Sequence, residues 1–332
     1  MTERQRIRRR PHARGVALVV VLAALALVAF VAGRFAQRID ELSRQTHSFR
    51  AHAEQALQAR NALAAGLYFV ATRQIGPAGF GPANAPELHA DNRAYRLPGG
   101  GELRLQDQRG LYPLNTPQRE SLGALLRSLG VAQRDTDSFV DVLEDYLDTD
   151  NLKRLSGAEA PDYAALGLPP PRNDWLVAVR ELNRMPHWRD APQVVSALES
   201  WASAERQGVL NPNTAPIALL AAMWPQARPE QLELLRSLRA TVPFVDGAAA
   251  QRATGLMLDR DGFVFHLGPQ LRMTVSGSGS ARALQYNVAL QPAGRDAPWL
   301  ISDMQAMPRI ESPENPERAE PFPLAFTESL KP

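Results

Sequence analysis

The stretch Arg14-Gly15-Val16-Ala17-Leu18-Val19-Val20-Val21-Leu22, which continues without a charge to Gly33, decides how the rest of the chain is read. From Val16 to Gly33 eighteen residues are uncharged and eleven of them are Val, Leu or Phe. Wound as a helix they span roughly 27 Å, close to the depth of a bilayer's hydrocarbon core. Arg4, Arg6, Arg8, Arg9, Arg10 and Arg14 precede the run, and by the positive-inside rule they place the N-terminus in the cytoplasm and the body on the exported side. An ordinary signal peptide fits the hydropathy equally well. Its Ala-x-Ala cleavage site should follow the apolar run, however, where the chain reads Val31-Ala32-Gly33-Arg34-Phe35. A basic segment ending in Gly15 stands before the run instead.

No proline occurs between Pro11 and Pro77, although the chain has 27, so the helix is expected to continue unbroken to about Gln74. Phe35, Ile39, Leu42, Thr46, Phe49, Ala53, Leu57, Ala64, Leu67 and Tyr68 fall mostly three, four or seven apart and form one face. A coiled-coil dimer is the competing interpretation. The stripe is rich in Ala and lacks sustained aliphatic a and d positions, which suits a helix laid on a small sheet better.

A basic leader ending in Gly directly ahead of an apolar helix resembles the processing site of type IV prepilins and type II secretion pseudopilins. That resemblance implies that prepilin peptidase cuts between Gly15 and Val16, that Val16 becomes the N-methylated first residue, and that the apolar segment stays on the mature protein. Counting from Val16, the fifth residue is Val20, where most of these proteins carry a glutamate. Its lack resembles the minor pseudopilin K family of type II secretion systems, also called general secretion pathway protein K.

Beyond the helix, residues 76 to 92 read as a loop. Ala94–Leu97, Pro98–Gly101 and Glu102–Gln106 read as strand, turn and strand. Residues 99–101 lack the lysine and the spacing of a phosphate-binding loop. From Pro117 to about Arg239 the period is helical, with Leu122, Leu125, Leu126 and Leu129 on one face and Phe139, Val142, Leu143, Tyr146 and Leu147 on another. Strands return at Phe263–Leu267, Leu271–Val275 and Leu284–Leu290, joined by the Gly/Ser turn at 276–280.

The K-family resemblance extends over this body to about residue 291. It rests on Asp107-Gln108-Arg109-Gly110 with Leu114-Asn115, on Asp145-Tyr146-Leu147-Asp148-Thr149-Asp150 with Gly157-Ala158-Glu159, on Glu181-Leu182, on Asn-x-Asn-Thr-Ala at 211–215, and on Pro243-Phe244. It departs at Leu111-Tyr112-Pro113-Leu114-Asn115 and around Met185-Pro186-His187-Trp188, where the family has a glycine. The expected fold is α+β, a type IV pilin-like domain interrupted by a large all-α insertion. The boundaries are a leader at 1–15, the membrane half of the helix at 16–33, the first pilin-like part at 34–110, the helical insertion at 111–245, completion of the sheet at 246–291, and a mobile tail at 292–332.

Function classes narrow accordingly. The pI of 9.1 looks like a nucleic-acid footprint. Without the first fourteen residues, 31 Lys and Arg face 34 Asp and Glu, so the body has no excess charge to hold a phosphate backbone. Leu210-Asn211-Pro212-Asn213-Thr214-Ala215-Pro216 resembles the entrance to a helix-hairpin-helix module, and a membrane-anchored DNA receptor of competence type is the alternative function. The hairpin would be Met223-Trp224-Pro225-Gln226, whose bulk and missing N–H oppose phosphate contact. Zero cysteines exclude disulfides and thiolate metal sites, and the six histidines show no zinc spacing. With no nucleophile elbow or Walker lysine either, no enzymatic activity is expected.

Asp148, Asp150 and Glu159 stand at loop positions one, three and twelve of an EF-hand spacing, but Leu152 and Lys153 occupy positions five and six, so a true EF-hand is excluded. A solvated acidic helix end is one outcome. Three carboxylates converging on calcium is the other, which the family resemblance favours. The resemblance further implies a non-enzymatic subunit of the inner membrane with a periplasmic body. It would assemble with minor pseudopilins I and J and other pseudopilins at the pseudopilus tip, initiate assembly for export across the outer membrane, and contact the secretin or secreted cargo. N-terminal sequencing of the mature protein is expected to begin at Val16 and Gly15→Leu to leave the leader attached; a start near Arg34 would identify an ordinary signal peptide.

Overall fold

The computed structural model describes residues 14–83, 85–206, 208–258, 262–309 and 319–323, with side chains from Leu18 on. The chain forms two compact units, one up to Glu54 and one from Gln55 on. Helix α1 (Arg14–Thr72) contributes to both and, as the missing prolines require, runs 59 residues without a break. Its apolar part, with mean hydropathy 2.5, is long and apolar enough to cross a membrane. Residues 1–13 of the expected leader lie outside the described residues.

In the second unit the chain passes through β1 (Gly79–Phe80), β2 (Leu88–His89), β3 (Asp91–Arg96), β4 (Glu102–Asp107) and β5 (Tyr112–Pro113). The helical region follows as α2 (Arg119–Ser128), α3 (Thr136–Leu147), α4 (Ala160–Ala165), α5 (Pro192–Trp201), the short β6 (Ala202–Ser203), α6 (Ile217–Met223), α7 (Pro229–Thr241) and α8 (Gly247–Thr254). The chain then returns to strands as β7 (Gln270–Ser276), β8 (Arg282–Leu290), β9 (Trp299–Pro308) and β10 (Glu320–Pro321). The main sheet has the order β10-β3-β4-β7-β8-β9, antiparallel except where β10 runs parallel to β3. Its neighbours β4 and β7 are separated in sequence by the whole helical region, so the expected α+β architecture forms, with an inserted block that is helical apart from the short parallel pair β5–β6 rather than all-α.

The small residues of α1 explain how it lies on the sheet. Ala59, Ala62, Leu67, Phe69 and Val70 are buried with Leu103, Leu105, Leu271, Met273 and Val275. Gly66 allows close approach, because a Cβ there would stand 3.0 Å from Leu103 Cδ2. Gln58 then ties two hairpin turns together: its Nε2 donates to the Gly99 carbonyl at 3.3 Å and its Oε1 accepts from Ser278 N–H at 2.8 Å. The Gly99-Gly100-Gly101 turn takes positive φ throughout, and a Cβ at Gly101 would meet the Gln58 carbonyl at 2.9 Å, so glycine serves both turn and contact here.

Three expectations need correction. Phe263–Leu267 is not a strand of the sheet: Phe263 makes only an isolated bridge to Leu210, and Phe263 and Phe265 pack on the helical core. That core also reaches past residue 245, through Ala250 of α8 to Leu256 and Leu258. The tail read as mobile over 292–332 contains β9, which pairs with β8 along its whole length, and β10, which is followed by Phe322 buried against Phe69 and Tyr95. A bulge at Ser302 breaks the period-2 alternation of β9, which hides the strand from pattern reading.

The two ends of the insertion meet at Asp107, which is fully buried at the end of β4. Its Oδ1 accepts from Arg109 N–H and Gly268 N–H, and its Oδ2 from Asn211 Nδ2 and Thr214 Oγ1, all at 3.1 Å. Gly110 is required beside it, because a Cβ would press on Thr214 Oγ1 at 2.6 Å and Gln106 Nε2 at 2.7 Å. Burial pushes the Asp107 carboxyl up to about 6 against the pull of its donors. Burial and the neighbouring Asp107 charge push Glu205 up to about 7. Both folded values lie above the ordinary carboxylate value, so the stability these groups add is present in full at acid pH and is lost as pH rises through about 6 and then about 7. Thermal melts of the detergent-solubilised protein are expected to show this fall, and Glu205→Gln to flatten its upper half. Asp107→Asn should destabilise by about 1 to 3 kcal/mol at neutral pH, since the new NH2 meets the N–H groups of Arg109 and Gly268 one way round and the Asn211 amide the other.

Candidate functional site

The acidic loop grows out of the end of α3. At Leu147 the helix stops and Asp148 turns extended, with φ −78° and ψ 168°. Asp150 Oδ1 accepts from Leu152 N–H at 2.7 Å and closes a local turn. Glu159 is the residue ahead of α4, where Asp162 reaches back to accept from its N–H at 2.9 Å and Pro161 fixes the first turn. These turns bring the three expected residues together: carboxylate oxygens of Asp148, Asp150 and Glu159 lie within 4.8 Å of one another.

The other acids of the stretch have protein partners. Arg154 Nη1 meets Asp145 Oδ1 at 2.6 Å and Asp148 Oδ2 at 2.5 Å, and its Nε meets Glu144 at 2.9 Å. Arg119 binds Asp141 at 2.5 Å and Glu144 at 2.7 Å. Gly157 is needed for this arrangement, because a Cβ would collide with the Asp145 carboxylate. What remains is unsatisfied oxygen: Asp148 Oδ1 and both oxygens of Glu159 are buried without a hydrogen-bond partner, although Glu159 is only 4% exposed. Its carboxyl is pushed up first by burial and then by Asp145, Asp148 and Asp150. Orphaned carboxylate oxygens at such depth are costly as they stand. Oxygens on opposite sides of a calcium ion are about 4.6 to 5.2 Å apart, so the trio fits a hard cation of that size.

Sequence reading missed Arg154 and Asn173. Arg154 supplies a built-in counter-charge, and the signal for it was an arginine inside an acidic loop. Asn173, at a positive φ of 50°, donates from Nδ2 to the Asp150 carbonyl at 3.0 Å. Nothing local in Pro169-Pro170-Pro171-Arg172-Asn173 announces that contact.

The remaining motifs resolve into ties between distant segments. Asn115 Nδ2 donates to the carbonyls of Leu176 and Ala204, while its Oδ1 accepts from Leu176 N–H. Glu181 accepts from Val177 N–H, Ala178 N–H and Tyr146 Oη. Asn213 pairs with both the N–H and the carbonyl of Phe244. Asn211, Asn213 and Thr214 are buried in such bonds, so the run read as the entrance to a helix-hairpin-helix module is taken up by internal ties. His187 takes a positive φ of 62° and is followed by the fully buried Trp188. Gly15 and Val16 lie in the first turn of α1, and their side chains are outside the described residues.

Residues 102–206, from the start of β4 to just before Gln207, match the family model of type II secretion system (T2SS) protein K. Over this segment the chain is similar to the protein K family. The segment contains the acid trio, Asp107, Arg154 and Asn173. No curated protein matches the sequence. Among solved structures the chain is similar to the crystal structure of the GspK–GspI–GspJ complex from the type 2 secretion system of enterotoxigenic Escherichia coli, at 18% identity and a TM-score of 0.48 over 81% of this chain and 100% of that chain.

Proposed function

We propose that this protein is a minor pseudopilin of a type II secretion system that works as a structural, non-catalytic subunit at the tip of the pseudopilus. The observation that carries the proposal is the protein K match beginning at β4, in a unit where the end of α1 packs on a mainly antiparallel sheet. In this reading α1 anchors the chain in the inner membrane with the body in the periplasm, prepilin peptidase cuts between Gly15 and Val16, and Val16 is N-methylated. Minor pseudopilins I and J join it through their own N-terminal helices to initiate assembly with the other pseudopilins, and its exposed body meets the secretin or cargo. Val20 offers no carboxylate to the amino terminus of a neighbour, a lack best tolerated by the topmost subunit. Immunogold labelling is expected at one end of isolated pseudopili; label along the whole length would overturn the tip assignment.

The acid trio in this reading holds calcium. Asp148, Asp150 and Glu159 supply carboxylate oxygens, and the cation would neutralise charge that Arg154 leaves uncompensated. With no cysteine to staple the insertion, the bound cation would cross-link the end of α3 to the start of α4. An affinity of about 10⁻⁴ to 10⁻³ M suffices outside the cytoplasm, and a tenfold excess over that constant adds roughly 1.4 kcal/mol. EDTA is therefore expected to lower the melting temperature, calcium to restore it better than magnesium, and Asp148→Ala to abolish the difference. Identical melting in EDTA and in millimolar calcium would leave only a solvated acidic helix end.

A further inference from the structure

We infer that Asn173 is a fourth protein ligand of the cation held by Asp148, Asp150 and Glu159, and that loading this site fixes the segment 168–177 that carries Trp175. The inference rests on the calcium reading of the trio. Asn173 arrives from a part of the chain well beyond the α3–α4 loop, yet its Nδ2 donates to the Asp150 carbonyl at 3.0 Å. That bond fixes the amide's orientation, since a flipped amide would set oxygen against oxygen. The Oδ1 is left buried with no hydrogen-bond partner beside a loop whose other orphaned atoms are the oxygens of Asp148 and Glu159. Two orphaned groups from separate segments, packed at one loop, point to a shared ligand.

Charge favours an amide at this position. Asp148 is already paired to Arg154 at 2.5 Å, so Asp150 and Glu159 bring two negative charges to a divalent ion. A further carboxylate would overcharge the site, whereas an amide oxygen raises the coordination number toward the six to eight that calcium takes. The backbone agrees, because φ of 50° is a conformation that asparagine tolerates better than most residues. On the far side of the segment, Leu176 is held by Asn115 and Arg172 by Glu181 at 3.2 Å. Asn173 is thus the point at which the stretch between them meets the acidic loop. Two residues on, the Trp175 ring packs under the Arg206 guanidinium at 4.6 Å and remains 38% exposed, so its emission reports on this segment.

The test uses the full chain in detergent, stripped with EDTA and titrated with calcium chloride by calorimetry and tryptophan fluorescence. Wild type should bind one ion with a change in emission that Trp175→Phe removes. Asn173→Gly, which accepts the positive φ, should bind about tenfold more weakly and lose the emission change while melting like wild type in EDTA. Asn173→Asp should bind more weakly than wild type, since it overcharges the site and sets an oxygen against the Asp150 carbonyl. Equal affinity of wild type and Asn173→Gly would overturn the role of Asn173 and leave the trio as a site. Absence of binding to wild type would overturn the trio as well.

Discussion

A buried carboxylate with four donors holds the molecule's two architectures together. Asp107 ends the strand at which the chain leaves the sheet, and its partners at Asn211, Thr214 and Gly268 lie on the segments by which it comes back. Because the insertion's ends are clamped at one point, the helical core and the sheet core can each close separately, one around Trp188 and the other around Leu103 and Met273. Arg272 adds a second tie, donating from β7 to the carbonyls of Glu199 and Ala202 at 2.7 and 3.0 Å. Both ties are buried polar groups, and the loss of Asp107 would leave donors without an acceptor while the loss of Arg272 would leave carbonyls without a donor, so they specify this arrangement more than they stabilise it.

That logic accounts for the scattered motifs. Asp107 to Gly110, Leu114-Asn115, Glu181-Leu182, the 211–215 run and Pro243-Phe244 each look weak in sequence because each has a partner remote along the chain. Each is half of a pairing completed elsewhere: Asp107 with Asn211, Asn115 with Leu176, Asn213 with Phe244. Spacing along the chain shows that the halves exist, and only the fold shows which half meets which.

The long helix, the β3–β4 turn and the strands β7 and β8 were legible because periodicity and glycine placement report local geometry directly. The acid trio was legible as a cluster of ligand types at plausible spacing. Arg154 and Asn173 were not, since an arginine within an acidic loop reads as a surface ion pair and an asparagine after three prolines reads as a turn residue. The strand β9 was hidden for a different reason. Trp299, Ile301, Met304 and Ala306 belong to one face only after the bulge at Ser302 is allowed for, and the prolines around them suggest a loop.

The hidden strands complete the sheet in an asymmetric way. At one edge β10 covers β3 over two residue pairs, reinforced by the Arg93–Glu320 ion pair at 3.0 Å and by Phe322 in the core. At the other edge β9 follows β8 along its length, and Asp303 on this strand is drawn to Arg180 of the helical region at 3.2 Å. An inward-facing charge and a bulge are devices that discourage further strand pairing. The C-terminal stretch therefore does at the two edges what Asp107 does in the middle: it ties the sheet to segments remote in sequence. Much of the sheet's closure thus lies downstream of the insertion, and the helical block, although inserted, forms part of the frame.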